Sequence, residues 1–237
     1  MKKRNIIITV FVLIILLIVG SLSYVYGNQD TSVKYHNLST SLTKNTNDIS
    51  IDGDSSDILI TLIDNKKNSN LDISGYFNEN TIKNDSYKKV EGSTMKLNFP
   101  VPRKGTFLFG TKIDNRLKIT IPVDKEELNK ISIQTMGGDV EVVDKTSSNV
   151  TKSNKVKFDI STDGGDVTMP IDNPLVDSVN IDSSGGDVDL MNKKNRTVSS
   201  DYDLSGGDLT GKYKESDSDN SVKLVISLDG GDLDLEK

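Results

Sequence analysis

The strongest constraint on this chain is a short motif used five times: Gly137-Gly138-Asp139-Val140, Gly164-Gly165-Asp166-Val167, Gly185-Gly186-Asp187-Val188, Gly206-Gly207-Asp208-Leu209 and Gly230-Gly231-Asp232-Leu233. The first glycines of successive copies lie 27, 21, 21 and 24 residues apart. Recurrence on this scale belongs to stacked-repeat architectures, in which each unit buries its apolar edge only against its neighbours.

With the first glycine as origin, the copies align on both flanks. Four positions before it stand Ile133, Ile160, Ile181, Tyr202 and Ile226, and two before it Thr135, Thr162, Ser183, Leu204 and Leu228. Three after it stand Val140, Val167, Val188, Leu209 and Leu233, and five after it Val142, Met169, Leu190, Gly211 and Leu235. The inward set therefore changes parity across the glycine pair. In a straight strand such a slip turns the second half inside out. Both halves can face one core only if the glycines form a corner or bulge, and glycine reaches the positive φ values that such a bend uses. A Gly-Gly hairpin is the alternative. The near-constant period is longer than two short hairpin strands need, so a bend in every coil is expected, with coils about 4.8 Å apart.

Composition supports an all-β domain. The chain has no Cys and no Trp, and it has no Ala, the best helix former, while Ile, Val and Thr are plentiful. Without Cys there is no disulfide framework and no thiolate metal site, so packing and hydrogen bonds must hold the fold. From residue 27 onward there are 26 basic and 35 acidic residues, a formal charge of −9. That disfavours nucleic acid and anionic lipid as main partners of the large domain.

The N-terminus is different. Lys2, Lys3 and Arg4 precede a segment, Ile6 to Val19, that is apolar apart from Thr9, and no charge occurs between Arg4 and Asp30. As a helix, 6–26 would span roughly 31 Å, enough for a hydrocarbon core of about 30 Å. The basic flank is expected to stay cytoplasmic, which sends the C-terminal part outside. A cleaved signal peptide is the rival, but Ser23-Tyr24-Val25-Tyr26-Gly27 suits an interfacial aromatic belt better than a small-residue cleavage site. The expected organisation is a cytoplasmic tail (1–5), a membrane helix (6–26), a polar stalk (27–47) and an extracytoplasmic repeat domain (48–237), read as a short β-solenoid. Within it, Asp52-Gly53-Asp54 looks like a degenerate first bend, and strands are expected near Leu71 to Phe77, Met95 to Val101 and Leu117 to Ile121. The last repeat ends without an evident cap, which predicts cover by a loop or another protomer.

The stretch Ile119-Thr-Ile-Pro through Ile131-Ser-Ile-Gln-Thr-Met-Gly-Gly-Asp-Val-Glu-Val142, with further Gly-Asp-Val or Gly-Asp-Leu coils after it, resembles the bacterial putative-adhesin family of unknown function. Members of that family look like short β-solenoids, often behind one membrane helix, and some accompany Lia-type envelope-stress systems. The resemblance implies no catalytic residues.

The repeated aspartates Asp139, Asp166, Asp187, Asp208 and Asp232 are the candidate site. Stacked, they would form a carboxylate ladder able to offer oxygens to a hard cation such as Ca²⁺, with Asp163, Asp189, Asp229 and Asp234 adding more. The structural alternative is that each follows its glycine corner, points outward and accepts hydrogen bonds from nearby backbone, because like charges opposed at strand spacing are unfavourable. The nine-residue period of Ca²⁺-binding Gly-rich solenoid repeats is absent. Gly-Gly-Asp also occurs in diguanylate cyclases, but there as a single hairpin followed by Glu-Phe, not Val or Leu five times over. The only histidine, His36, falls in the expected stalk, and Arg103, Arg116 and Arg196 are scattered. No nucleophile elbow, metal cluster or phosphate loop is present in the sequence. Lys152, Lys155, Lys157, Lys193 and Lys194 lie in polar stretches between motifs, where they protect strand edges or meet anionic wall polymers. The expectation is a non-enzymatic binding or scaffolding protein of a bacterial envelope. It needs no cofactor, and its partners are the membrane through 6–26 and envelope proteins or wall polymers. A role as accessory regulator of an envelope-stress complex is the alternative.

Overall fold

The computed structural model describes residues 33–64, 70–100, 116–123, 127–147, 155–211, 213–216, 218 and 220–236. The expected tail, membrane helix and first part of the stalk lie outside them. No helix among the described residues is long and apolar enough to cross a membrane.

The described chain is all-β, with one helix of 5 residues, α1 (Glu79–Lys83), capped by the Asn78 side chain. Its strands are β1 (Val33–Ser41), β2 (Asp48–Asp52), β3 (Ile58–Ile63), β4 (Asn70–Asn78), β5 (Lys88–Glu91), β6 (Thr94–Asn98), β7 (Leu117–Pro122), β8 (Lys130–Thr135), β9 (Val140–Asp144), β10 (Val156–Thr162), β11 (Val167–Pro170), β12 (Val176–Ser183), β13 (Val188–Met191), β14 (Val198–Leu204), β15 (Leu209–Gly211), β16 (Val222–Leu228) and β17 (Leu233–Glu236). They form two large mixed sheets. The first has the order β1-β4-β7-β3-β9-β11-β13-β17-β15, the second β14-β16-β12-β10-β8-β2-β6-β5.

At each Gly-Gly-Asp the chain leaves the second sheet and enters the first. The strands flanking a motif, β8 and β9 for example, do not pair with each other; each pairs in parallel with its counterpart in neighbouring rungs. Apart from one shift between Val156 and Lys157 where β10 meets β12, register is kept, with Ile133 beside Ile160, Ile160 beside Ile181, and Ile181 beside Ile226. Aliphatics from both sides of the bend therefore meet in one core between the sheets. Ile133, Val140, Val142, Ile160, Val167, Met169, Ile181, Val188, Leu190, Ile226 and Leu233 belong to that cluster.

Three expectations need correction. The stalk 27–47 is not free-standing over its described part: β1 pairs antiparallel with β4 along its length, and Leu42 and Thr46 are buried. Its many Asn, Ser and Thr residues alternate with enough apolar ones, Val33 and Leu38 among them, to close the edge of a sheet. Secondly, the rungs are not laid in chain order. After β12–β13 the chain skips a place to form β14–β15, then returns to place β16–β17 in the gap. At the other end β2–β3 sits between β6–β7 and β8–β9. Identical periods and registers cannot say which repeat neighbours which. Composition gives a physical reason: β16 buries Val222, Leu224, Ile226 and Leu228, whereas β14 offers half-buried Ser200, Tyr202 and Leu204, so the more apolar rung takes the doubly covered slot. Consequently the last repeat in sequence is internal, and the fourth is the end of the stack.

Arg196 ties these displaced rungs together. Its guanidinium donates to the carbonyls of Asn173 at 2.9 Å, in the loop before β12, of Val176 at 2.6 Å, the first residue of β12, and of Asn220 at 3.1 Å, just before β16. Its own backbone is clamped by the buried Asn192 side chain, which accepts from Arg196 N at 2.8 Å and donates to Arg196 O at 2.9 Å. Burial pushes the guanidinium below its ordinary pKa.

Candidate functional site

The bends bring all five motifs into one line along an edge of the molecule. The second glycine of each motif lies against the backbone of the next rung. A methyl at Gly138 would stand 2.1 Å from the Ser56 carbonyl oxygen, and one at Gly165 2.1 Å from that of Gly138. Gly186 sits in the same way on Gly165, Gly231 on Gly186 and Gly207 on Gly231. No side chain fits there, because real Cβ atoms do not approach a carbonyl so closely. The first glycines, Gly137, Gly164, Gly185, Gly206 and Gly230, face open space or at most an ordinary contact.

In three rungs the inward hydroxyl two places before the glycines secures the bend. Thr135 Oγ1 accepts from Gly138 N at 3.1 Å and donates to Asp54 O at 2.8 Å, and Thr162 Oγ1 accepts from Gly165 N at 3.0 Å. Ser183 Oγ accepts from Gly185 N at 3.3 Å and donates to Gly185 O. These polar side chains are buried, and the hydrogen bonds offset that burial.

The five aspartates are exposed and stacked, in the spatial order Asp139, Asp166, Asp187, Asp232, Asp208. Each carboxylate except that of Asp208, the last in the row, accepts the backbone N–H of the next aspartate. Asp139 Oδ1 takes Asp166 N at 3.0 Å, Asp166 Oδ1 takes Asp187 N at 2.9 Å, Asp187 Oδ1 takes Asp232 N at 2.9 Å, and Asp232 Oδ1 takes Asp208 N at 3.0 Å. A sixth member, Asp57, begins the row by accepting from Asp139 N at 3.2 Å. Residues 52–58 run in register with 134–140, so Gly53 occupies the Thr135 position and Asp57, not Asp54, is the motif aspartate. A Ser-Ser pair in place of Gly-Gly hid it from sequence reading. Of the added carboxylates, Asp189 and Asp234 pair side by side on the first sheet, and Asp163 and Asp229 are exposed just before their bends. Among the described residues no group of three or more His, Asp or Glu side chains is placed to hold a metal ion. One oxygen of each stacked carboxylate from Asp57 to Asp232 is already committed to the rung beside it.

Lys157, Lys193 and Lys194 are exposed and Lys155 is half-buried; Lys152 lies outside the described residues. Arg116 meets Glu141 at 3.1 Å across the first sheet, and His36 lies on β1 with its ring 6.5 Å from that of Phe77. The outer face of the second sheet carries a depression of about 240 Å³ lined by Ser50, Ser132, Gln134, Asp159, Ser161 and Asn180 among others. Asp159 is shared there by Lys130 Nζ at 2.7 Å and Asn180 Nδ2 at 2.7 Å. Partial burial raises its carboxyl, but these two donors outweigh that and hold it below the ordinary value.

No family model and no curated protein matches the chain. Among solved structures, it is similar to a putative cell adhesion protein from Clostridium sporogenes, with a TM-score of 0.59 and 13% identity over 86% of this chain and 99% of that one. At that identity the likeness shows a common fold. Putative adhesins from Bacteroides fragilis (TM-score 0.35, 17% identity, 85% and 97% of the two chains) and Parabacteroides merdae (0.29, 12%, 88% and 98%) are more distant.

Proposed function

We propose that this chain is a membrane-tethered, extracytoplasmic and non-enzymatic binding or scaffolding protein of a bacterial envelope, its two sheets being the walls of a short β-solenoid with rungs laid out of chain order. The observation that carries the reading is the use made of the repeated motif. The second glycine of each motif packs against the backbone of the neighbouring rung and four of the five aspartates accept backbone N–H groups from it, so these residues serve to hold rungs together. What is left for a partner is the periodic outer faces and the ends of the stack, which suits binding over an extended surface. The fold shared with the clostridial cell adhesion protein is in keeping with this. Tethering rests on residues 6–26, whose apolar run and basic flank fit an uncleaved anchor with the domain outside.

The test is retention on intact cells. Full-length protein should stay with the membrane fraction and be digested from outside by added protease, and a version lacking 6–26 should be soluble. Immobilised domain should hold envelope material stoichiometrically, without release of sugar or peptide fragments. Catalytic release of such fragments, lost on a single carboxylate substitution, would overturn the non-enzymatic assignment.

A further inference from the structure

The end of the stack farthest from β1 is formed by β14 and β15, the outermost strands of the two sheets among the described residues. In a parallel ladder the N–H and C=O of alternate residues point to the same side. On β14 the outward parity is fixed by Val198, whose N–H donates to Lys214 O at 3.0 Å and whose carbonyl accepts from Ser216 N at 2.9 Å. The chain thus adds one residue of parallel strand beside β14, the bridge from Val198 to Glu215, and then departs for β16. Two, four and six residues further on, Ser200, Tyr202 and Leu204 have the same outward parity, while Ser205 turns its N–H inward to Leu228 O. A ladder has been started and left unfinished.

Side chains along this edge alternate by chemistry. Asp201 and Asp203 are exposed on the solvent face, with exposed Asp208 at the adjoining bend and exposed Glu215 beside the started bridge. On the core side Tyr202 and Leu204 are only half covered and Leu209 is 43% exposed, whereas their neighbours Ile226 and Leu228 on β16 are each 1% exposed. An acidic edge repels an identical edge of a second copy, which is a usual protection against edge-to-edge association. The same charges attract a strand with basic residues on one face.

We propose that β14 is a docking edge for an extended segment of a partner protein that alternates lysine or arginine with aliphatic residues. Such a segment adds a strand beside Ser200 to Leu204, continuing the line begun by Lys214 to Ser216. Its backbone completes the ladder, its basic side chains lie beside Asp201 and Asp203, and its aliphatic ones cover Tyr202, Leu204 and Leu209. This rests on the reading of the domain as a binding module and names the class of partner for it.

The test uses the full chain in detergent and two labelled peptides, acetyl-KVKVKVK-amide and acetyl-EVEVEVE-amide, followed by fluorescence anisotropy. The basic peptide should bind at least tenfold more tightly than the acidic one, and more weakly as salt is raised. Asp201→Lys with Asp203→Lys should invert the preference. Ser200→Pro removes one outward N–H and leaves the β14–β16 ladder and the Tyr202–Tyr213 packing untouched, so it should weaken the basic peptide about tenfold with little change in melting temperature. Basic-peptide binding unaffected by both the charge exchange and the proline would place it on other acidic surface and overturn the proposal. So would self-association of the full chain that the proline abolishes, since the edge would then serve a second copy. None of these readouts depends on whether the domain releases envelope fragments, so failure of the edge and failure of the non-enzymatic reading are distinguishable.

Discussion

The two glycines of each motif are chemically identical and physically unlike. Gly165 lies where a methyl would be 2.1 Å from a backbone oxygen, while Gly164, its neighbour, has nothing within 4 Å and no left-handed φ. Gly165→Ala is expected to cost roughly 2–4 kcal/mol, because two backbones must separate, whereas Gly164→Ala should be neutral or stabilising by up to about 1 kcal/mol through the unfolded chain. Urea denaturation of the two variants decides it. The aspartates allow a second contrast. Asp166→Asn keeps an oxygen for the Asp187 N–H and removes one charge from a row of like charges, so stability should hold or rise; Asp166→Ala leaves that N–H without its acceptor and should cost about 1–2 kcal/mol. A cation ladder would require the opposite, with Asn as damaging as Ala and both effects erased by chelator. The residues that bend the chain were legible in the sequence wherever the glycine pair marked the corner that the parity change demanded, and hidden at Ser55-Ser56, where it did not. An outward carboxylate accepting backbone N–H groups was one of the two readings the motif allowed; which N–H it takes was not legible, because the donor belongs to whichever rung lies alongside.

Between rungs, a few polar side chains do what the repeat cannot. Arg196 spans the start of β12 and Asn220, two residues before β16, and no local pattern marked it among scattered arginines. A lysine cannot present a planar fork to several carbonyls. Arg196→Lys should therefore lose nearly as much as Arg196→Met, roughly 2–3 kcal/mol, in thermal or denaturant unfolding. On the second sheet, Asp159 links three strands through Lys130 on β8 and Asn180 on β12. Its carboxyl is held below the unfolded value, so its contribution is present above about pH 4 and is lost as pH falls through the lowered folded value. Glu91, exposed and held down to about 2 by Lys89 and then Lys96, acts in the same direction at the β5 edge. The melting temperature is expected to fall between pH 5 and pH 2, and less steeply in Asp159→Asn. The strands themselves follow the alternation of apolar residues, which located β4, β6 and β7 from sequence. β5, its Gly92 turn into β6 at φ +62°, and α1 gave too little periodicity to be seen.

At the scale of the whole molecule, the account turns on where the chain crosses between sheets and which rungs then meet. A repeat specifies how any two rungs fit but not their order, so sequence alone predicted coils stacked one after another. The order observed follows burial, with the weakest apolar rung, β14–β15, left at the end and the chain's last rung drawn inside. That places an acidic, half-covered edge at the end of the stack away from β1, the strand that leads back toward the expected anchor. The absence of cysteine allows a direct test by paired cysteine substitution and oxidation. Asp182 faces Ser227 across neighbouring strands, and Ser227 faces Asp203, so Asp182 and Asp203 are two strands apart, about 9.6 Å at ordinary strand spacing. A disulfide needs Cα atoms within about 7 Å. Asp182→Cys with Ser227→Cys should cross-link readily, and Asp182→Cys with Asp203→Cys should not. The reverse result would mean that rungs stack in chain order, and would contradict both the architecture described and the docking edge drawn from it.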